Sequence, residues 1–216
     1  SRADMQRAVS QGESIKSVEL DVTRIDSCKA AVRETVDCFG GLDILVNNAG
    51  IVGSGPLADF NEAEWDRIFA VNTKGIFLMT QAALSELQNS NLAAIVNTAS
   101  IAGKQGVPNM SAYCGSKFAA IGITQSLALE LAANDITVNA VCPGIVGTAM
   151  WLDHLLPSNF AVTDEKKQNF EELMAKRIPL GRPQTTEDIA AAVMYLATAR
   201  NVTGIALTVA GGIQLN

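Results

Sequence analysis

Tyr113 and Lys117 stand four residues apart at the start of a stretch with helical periodicity. That spacing sets a phenol and an ammonium on one helix face, one turn apart. A phenol near its free pKa of about 10 is a poor base at neutral pH, and a fixed positive charge within a few ångströms favours phenolate and moves that pKa toward the working range. Such a tyrosine can exchange a proton with an alcohol or carbonyl oxygen. General acid/base help of this kind contributes roughly 10² to 10⁴ in rate and suits a reaction whose other half is hydride transfer. Ser100 closes the run Ala93-Ala-Ile-Val-Asn-Thr-Ala-Ser100, where a strand should leave a sheet at its carboxyl edge. Parallel sheets meet their ligands there. A hydroxyl at that edge can donate to the same substrate oxygen, and losing one such donor typically costs about 3 kcal/mol.

Positioning these groups requires a framework, and the sequence supplies its periodicities. Short β-branched runs alternate with longer helical segments, the signature of βαβ units around a parallel sheet. Strands are predicted at Ile15 to Leu20, Leu42 to Val46, Ala94 to Asn97, Thr137 to Val141 and Ile205 to Val209. Helices are predicted at Arg2 to Val9, Asp26 to Phe39, Glu62 to Leu87 with a bend near Asn72, Ser111 to Ala133, and Thr186 to Ala197. Asp26 is the expected N-cap of the second helix and Gly40-Gly41 its stop; Thr185 or Thr186 should cap the last. The expected fold class is therefore α/β: a doubly wound, Rossmann-like parallel sheet in a three-layer α/β/α arrangement, one domain over residues 1–216. Residues 148–179 break the alternation with Trp151, His154 and Phe160 ahead of a charged helical stretch from Asp164 to Arg177, and are expected to form a substrate lid. His154, the only histidine, has no partner motif and receives no catalytic role.

Composition narrows the function classes. The formal charge is −6, with Lys and Arg scattered singly, so no basic stripe can neutralise a phosphate backbone, and nucleic acid is not an expected partner. No apolar run spans a bilayer, and the opening residues do not read as a signal peptide. Four cysteines without metal spacing read as reduced thiols, so the expected setting is cytoplasmic. The run Gly50-Ile-Val-Gly53-Ser-Gly55 mimics a phosphate loop, but Pro56-Leu-Ala-Asp-Phe60 separates it from the next helix, so no helix N-terminus faces a phosphate.

Tyr113-Cys-Gly-Ser-Lys117, Asn47-Asn-Ala-Gly50, Val71-Asn72, Ser100, Pro143-Gly-Ile-Val-Gly-Thr148, Ile178-Pro-Leu-Gly-Arg182 and Gly211-Gly212 occur in order along nearly the whole chain. Together they resemble the short-chain dehydrogenase/reductase family. A lone Tyr-x-x-x-Lys would as readily be an exposed helical pair; the ordered set is specific. The resemblance implies a catalytic tetrad of Asn72, Ser100, Tyr113 and Lys117. In it Asn72 holds the helix kink and a water that relays protons to Lys117, and Lys117 also binds the nicotinamide ribose. It implies NAD or NADP as cofactor, with Asp21 and Val22 at the adenine and Asn47, Ala49 and Gly50 lining the groove. Pro143, Gly144, Val146 and Thr148 would hold the carboxamide. A homotetramer or dimer, joined through the helices at Glu62 to Leu87 and Ser111 to Ala133, is also implied.

Two departures stand out. Nothing before Ile15 matches the family's glycine-rich turn, so the first βαβ unit is expected to be missing from the chain as it stands. Such a unit needs about 30 residues or more, which would bring the total to about 250. On that expectation the chain by itself binds nicotinamide cofactor weakly, because the pyrophosphate loses its anchor at a helix N-terminus. Ala210 also stands where the family usually carries an acidic residue. The expected reaction is hydride transfer between the cofactor and a secondary alcohol or ketone. Small polyols or acetoin-like ketones come first as small-molecule substrates, and 3-oxoacyl thioesters next. The alternative is a non-catalytic Rossmann-like scaffold or assembly subunit, should the first unit be a true deletion.

Overall fold

The computed structural model describes residues 14–148, 150–151 and 164–215. The predicted helix at Arg2 to Val9, as well as His154 and Phe160, lie outside them. Four strands, β1 (Ile44–Asn47), β2 (Ala94–Thr98), β3 (Thr137–Pro143) and β4 (Ala206–Val209), form one sheet in the order β1-β2-β3-β4, every pair parallel. Parallel neighbours require crossover connections, and helices provide them. These are α1 (Ile25–Phe39), α2 (Glu62–Phe69), α3 (Gly75–Gln88), α4 (Ser111–Leu131), α5 (Asp164–Arg177) and α6 (Thr186–Thr198).

Side chains alternate across a strand, so β2 faces two layers. Ile95 packs with Leu45, Val138 and the apolar faces of α1, α3 and α4, while Ala94 and Val96 pack with Leu196 and Ala197 of α6. The result is the expected three-layer sandwich. Strand β2 is buried on both faces except at Thr98, as its unbroken apolar run foreshadowed. Polar residues enter this interior as a linked set. Asn47 and Asn97, directly opposite in the β1–β2 register, bond through Nδ2 to Oδ1 at 2.9 Å. Asn47 also donates to Thr80 Oγ1 on α3, and Asn97 to Thr124 Oγ1 on α4.

The expected strand at Ile15 to Leu20 is not formed; that segment is irregular, with Ile15 and Leu20 exposed. A strand is a paired state, and no described residue offers these backbone groups a ladder. Helix α1 begins one residue earlier than expected, at Ile25, and Asp26 is not its cap. Arg24 occupies that position without a side-chain bond, leaving Asp26 in the first turn, where its charge suits the helix dipole. Its stop is Gly40, at φ 83°. Thr185 caps α6 in a reciprocal capping box with Asp188. The bend expected near Asn72 is a π-turn over Ala70–Lys74 between α2 and α3.

Candidate active site

Helix α4 delivers both Tyr113 and Lys117 into the interior. Tyr113 is 8% exposed and Lys117 4%. The Lys117 ammonium lies 5.8 Å from the centre of the Tyr113 ring and donates to the Thr98 carbonyl at 2.8 Å. Burial pulls Lys117 down to about 8, against a smaller opposing effect of the nearby Cys142 thiol. The Tyr113 phenol moves the other way from the sequence expectation. Burial pushes it up, the hydrogen bond from Ser100 pulls it down by less, and the neighbouring Cys114 adds to the rise. Desolvation of the phenolate is the largest of these effects. At neutral pH the phenol therefore keeps its proton.

Ser100 follows β2 in extended conformation, and its Oγ accepts from Ala102 N at 3.1 Å, capping the short turn Ile101–Gly103. That turn rests on α4 backbone to backbone. A Cβ on Gly103 would lie 2.6 Å from the Lys117 carbonyl oxygen, so only glycine permits the approach. The turn therefore sets the height of Ser100 against Tyr113.

Asn72 sits in the π-turn, 1% exposed, with its side chain fully committed. Its Oδ1 accepts from Ile51 N at 2.8 Å, while Nδ2 donates to Ile51 O at 2.9 Å and to Ser116 Oγ at 3.0 Å. Ser116 in turn donates to the Tyr113 carbonyl at 2.7 Å. The amide of Asn72 thus ties together the π-turn, the loop after β1 and α4. Ser116 was not singled out in the sequence. Its signal was its place between Tyr113 and Lys117, where a serine can bond back to the carbonyl three residues earlier.

The cofactor side is built from strand ends. Asn47 turns its side chain into the buried ladder, so only its backbone reaches the carboxyl edge. Asn48 accepts from Thr98 Oγ1 at 3.0 Å. Gly50, two residues on, faces the tetrad: a Cβ there would stand 3.4 Å from Lys117 Nζ and 3.5 Å from Asn72 Oδ1. Glycine keeps open the space in front of the ammonium, a cradle that suits a ribose diol. Asp21 folds its loop by accepting from Thr23 N and Oγ1, and Gly75 lets Val22 approach α3, since a Cβ there would meet Val22 Cγ2 at 2.8 Å. Beyond β3, Val146 bridges to Gln184, and Thr148 N donates to Val146 O at 2.7 Å. The residues present fit a nicotinamide dinucleotide along this edge. Gly53, in the phosphate-loop mimic, lets its loop pack on α2, where a Cβ would meet Glu64 Oε1 at 2.8 Å; a carboxylate at that point repels phosphate.

Comparison with known proteins decides the lineage. A family model described as enoyl-(acyl carrier protein) reductase matches residues 1–214. The chain is 40% identical over 207 residues to 2-(S)-hydroxypropyl-CoM dehydrogenase 3 of Xanthobacter autotrophicus, covering 94% of this chain and 78% of that protein. The chain belongs to the short-chain dehydrogenase/reductase family. L-2,3-butanediol dehydrogenase of Corynebacterium glutamicum, another relative, is 41% identical over 92% of this chain and 78% of its own. Among solved structures, the aldohexose dehydrogenase of Thermoplasma acidophilum superposes with a TM-score of 0.85 at 32% identity, over 91% of this chain and 77% of that one. A gluconate 5-dehydrogenase from Burkholderia cenocepacia in complex with NADP and tartrate gives 0.84 at 27%, over 96% and 78%. As a member of this family the protein is an oxidoreductase using NAD or NADP, moving hydride to or from a secondary alcohol or ketone carbon. Among the described residues no helix is long and apolar enough to cross a membrane.

Proposed function

We propose that the protein interconverts small, uncharged secondary alcohols and ketones of the polyol or acetoin type, with Asn72, Ser100, Tyr113 and Lys117 as the working residues. The observation that carries this reading is the buried pair of Tyr113 and Ser100, walled by Ala102, Cys114, Val52 and Met110. Ser100 orients the substrate oxygen and Tyr113 gives it a proton in reduction or takes one in oxidation. Bound nicotinamide supplies or accepts the hydride. Lys117 meets the ribose hydroxyls, and Asn72 holds the π-turn, where a relay water would bind. Asp21, Val22, Ala49 and Gly50 line the groove, with Pro143, Gly144, Val146 and Thr148 at the carboxamide. Residues 148–179 would be the lid of the single domain; of these, 149 and 152–163 lie outside the described residues.

A 3-oxoacyl thioester is the second reading, because a 3-oxoacyl-[acyl-carrier-protein] reductase of Staphylococcus aureus is 37% identical over 92% of this chain. An acidic carrier would call for free cations near Ser100. Lys104 is instead spent on β4, donating to Ala206 O at 2.6 Å and Thr208 Oγ1 at 2.8 Å. Four free cysteines accord with a cytoplasmic setting. The exposed apolar residues of α3 and α4 accord with a homo-oligomer.

The test is a panel of vicinal diols, acetoin-type ketones and 3-oxoacyl thioesters with both cofactors, using the protein as its full reading frame encodes it. The diol and acetoin arm should exceed the thioester arm by about tenfold or more in kcat/KM; the reverse order would replace this reading with the second. Tyr113→Phe should lower turnover by roughly 10² to 10⁴ while cofactor binding holds. Retained turnover would remove Tyr113 as the proton donor.

A further inference from the structure

Gln184 lies 39 residues beyond Ile145 and takes no part in the tetrad, yet it is 6% exposed and grips the loop after β3 from two sides. Ile145 N donates to its side-chain Oε1 at 2.8 Å, and its own backbone N donates to Ile145 O at 2.9 Å. Val146 continues the contact as a parallel bridge to the same residue. Two glycines make room for the carboxamide. A Cβ on Gly144 would lie 2.6 Å from Gln184 Oε1, and one on Gly211, at φ +59°, would lie 2.9 Å from Gln184 Nε2. The Ala210 methyl crowds the same point beside Gly144, at 2.8 Å, so a small residue at 210 shares this space with the glutamine. Around them Leu180 N donates to Gly211 O at 3.0 Å, and Ile178 Cγ2 would meet a Gly211 Cβ at 2.6 Å. Three segments distant in sequence, the loop after β3, the approach to α6 and the tail after β4, thus converge on one neutral side chain.

We infer that Gln184 is a positioning residue for the nicotinamide half of the site: it fixes the Pro143–Thr148 loop through Ile145 and so governs how tightly that loop holds the carboxamide. This rests on the reading of Pro143–Thr148 given under the proposed function. An Ile145 N–H without its acceptor would be a buried orphan, and the loop would relax to recover a partner. The adenine half of the groove is held by bonds of Asp21 to Thr23 and Ser27 and of Val22 to Cys28, and should not respond.

The test compares binding of NADH or NADPH with binding of ADP-ribose, which lacks nicotinamide, by titration of the protein as its full reading frame encodes it. Gln184→Met keeps the volume and removes the acceptor; Gln184→Ala adds no bulk between the glycines and serves if the first variant folds poorly. Either should weaken the reduced cofactor about tenfold, as loss of one buried hydrogen bond implies. ADP-ribose affinity should hold, and KM for cofactor should rise more than kcat falls. Gln184→Glu keeps a carbonyl acceptor and should restore most of the affinity at acidic pH, where a buried carboxyl stays neutral. Equal loss for both ligands, or no loss for either, would overturn the inference. Thr148→Val separates the two ideas. If it weakens NADH and the Gln184 variants do not, only the role of Gln184 fails. If Thr148→Val leaves NADH untouched, the assignment of the loop falls and the inference with it.

Discussion

At the scale of single residues, the pairing of phenol and ammonium was legible because a four-residue spacing on a helix has one geometric meaning. The direction of each pKa was not, because desolvation depends on what closes over a side chain. Lys117, held at about 8, shows what burial costs. Below that value both folded and unfolded chains carry the proton, and folding must bury a charge. Between about 8 and its usual value of 10.5 the folded state releases the proton first, so the unfolded state binds more protons and stability rises with pH. Relative to Lys117→Met, the wild-type unfolding free energy should therefore climb by about 2 to 3 kcal/mol between about pH 7 and about pH 10, measured by urea titration. A flat difference would show that the ammonium is not destabilised. The methionine variant should be inactive throughout.

At the scale of elements, helices and the paired strands were both legible in the sequence. Periodicity and caps are local, so α4, α5 and α6 fall within two residues of their expected bounds. The segment Ile15 to Leu20 has the composition of a strand, but a strand needs a neighbour, and its sequence does not reveal whether one is beside it. Contacts over long separations were equally hidden. Ser116 meets Asn72 from 44 residues away, and no local pattern signals it. The turn Ile101–Gly103 is the element whose placement matters most to the chemistry. Gly103→Ala must push it off α4, at a cost of about 1 to 3 kcal/mol in stability. Displacing Ser100 by about 1 Å should cost turnover up to roughly a hundredfold, with the substrate KM less affected. Steady-state kinetics beside thermal melting would check both, and a variant with full kcat would mean that the turn does not set the serine.

At the scale of the whole molecule, α4 is apolar on more than its inward face. Phe118 and Leu129 are exposed, with Gly122 open between them, at the spacing of one helical stripe, and Phe77 of α3 is half exposed nearby in the fold. If the proposed homo-oligomer forms through this face, glutamate at both Phe77 and Phe118 should lower the mass seen in sedimentation while leaving the monomer folded; an unchanged mass would overturn that interface. The layering was readable from alternation of strand and helix, whereas the polar links through the interior were not. Among those links, the opposed amides of Asn47 and Asn97 have a further consequence. A slip of one residue of β1 along β2 would carry Asn47 to the face of the sheet opposite Asn97. Asn47 would lose its acceptors and Asn97 Oδ1 its donor, at about 1 to 3 kcal/mol apiece, while Asn97 kept its bond to Thr124. The two asparagines act as a key cut for one alignment. A misaligned sheet is thereby penalised, and with it any wrong placing of the loops that carry Gly50 and Ser100.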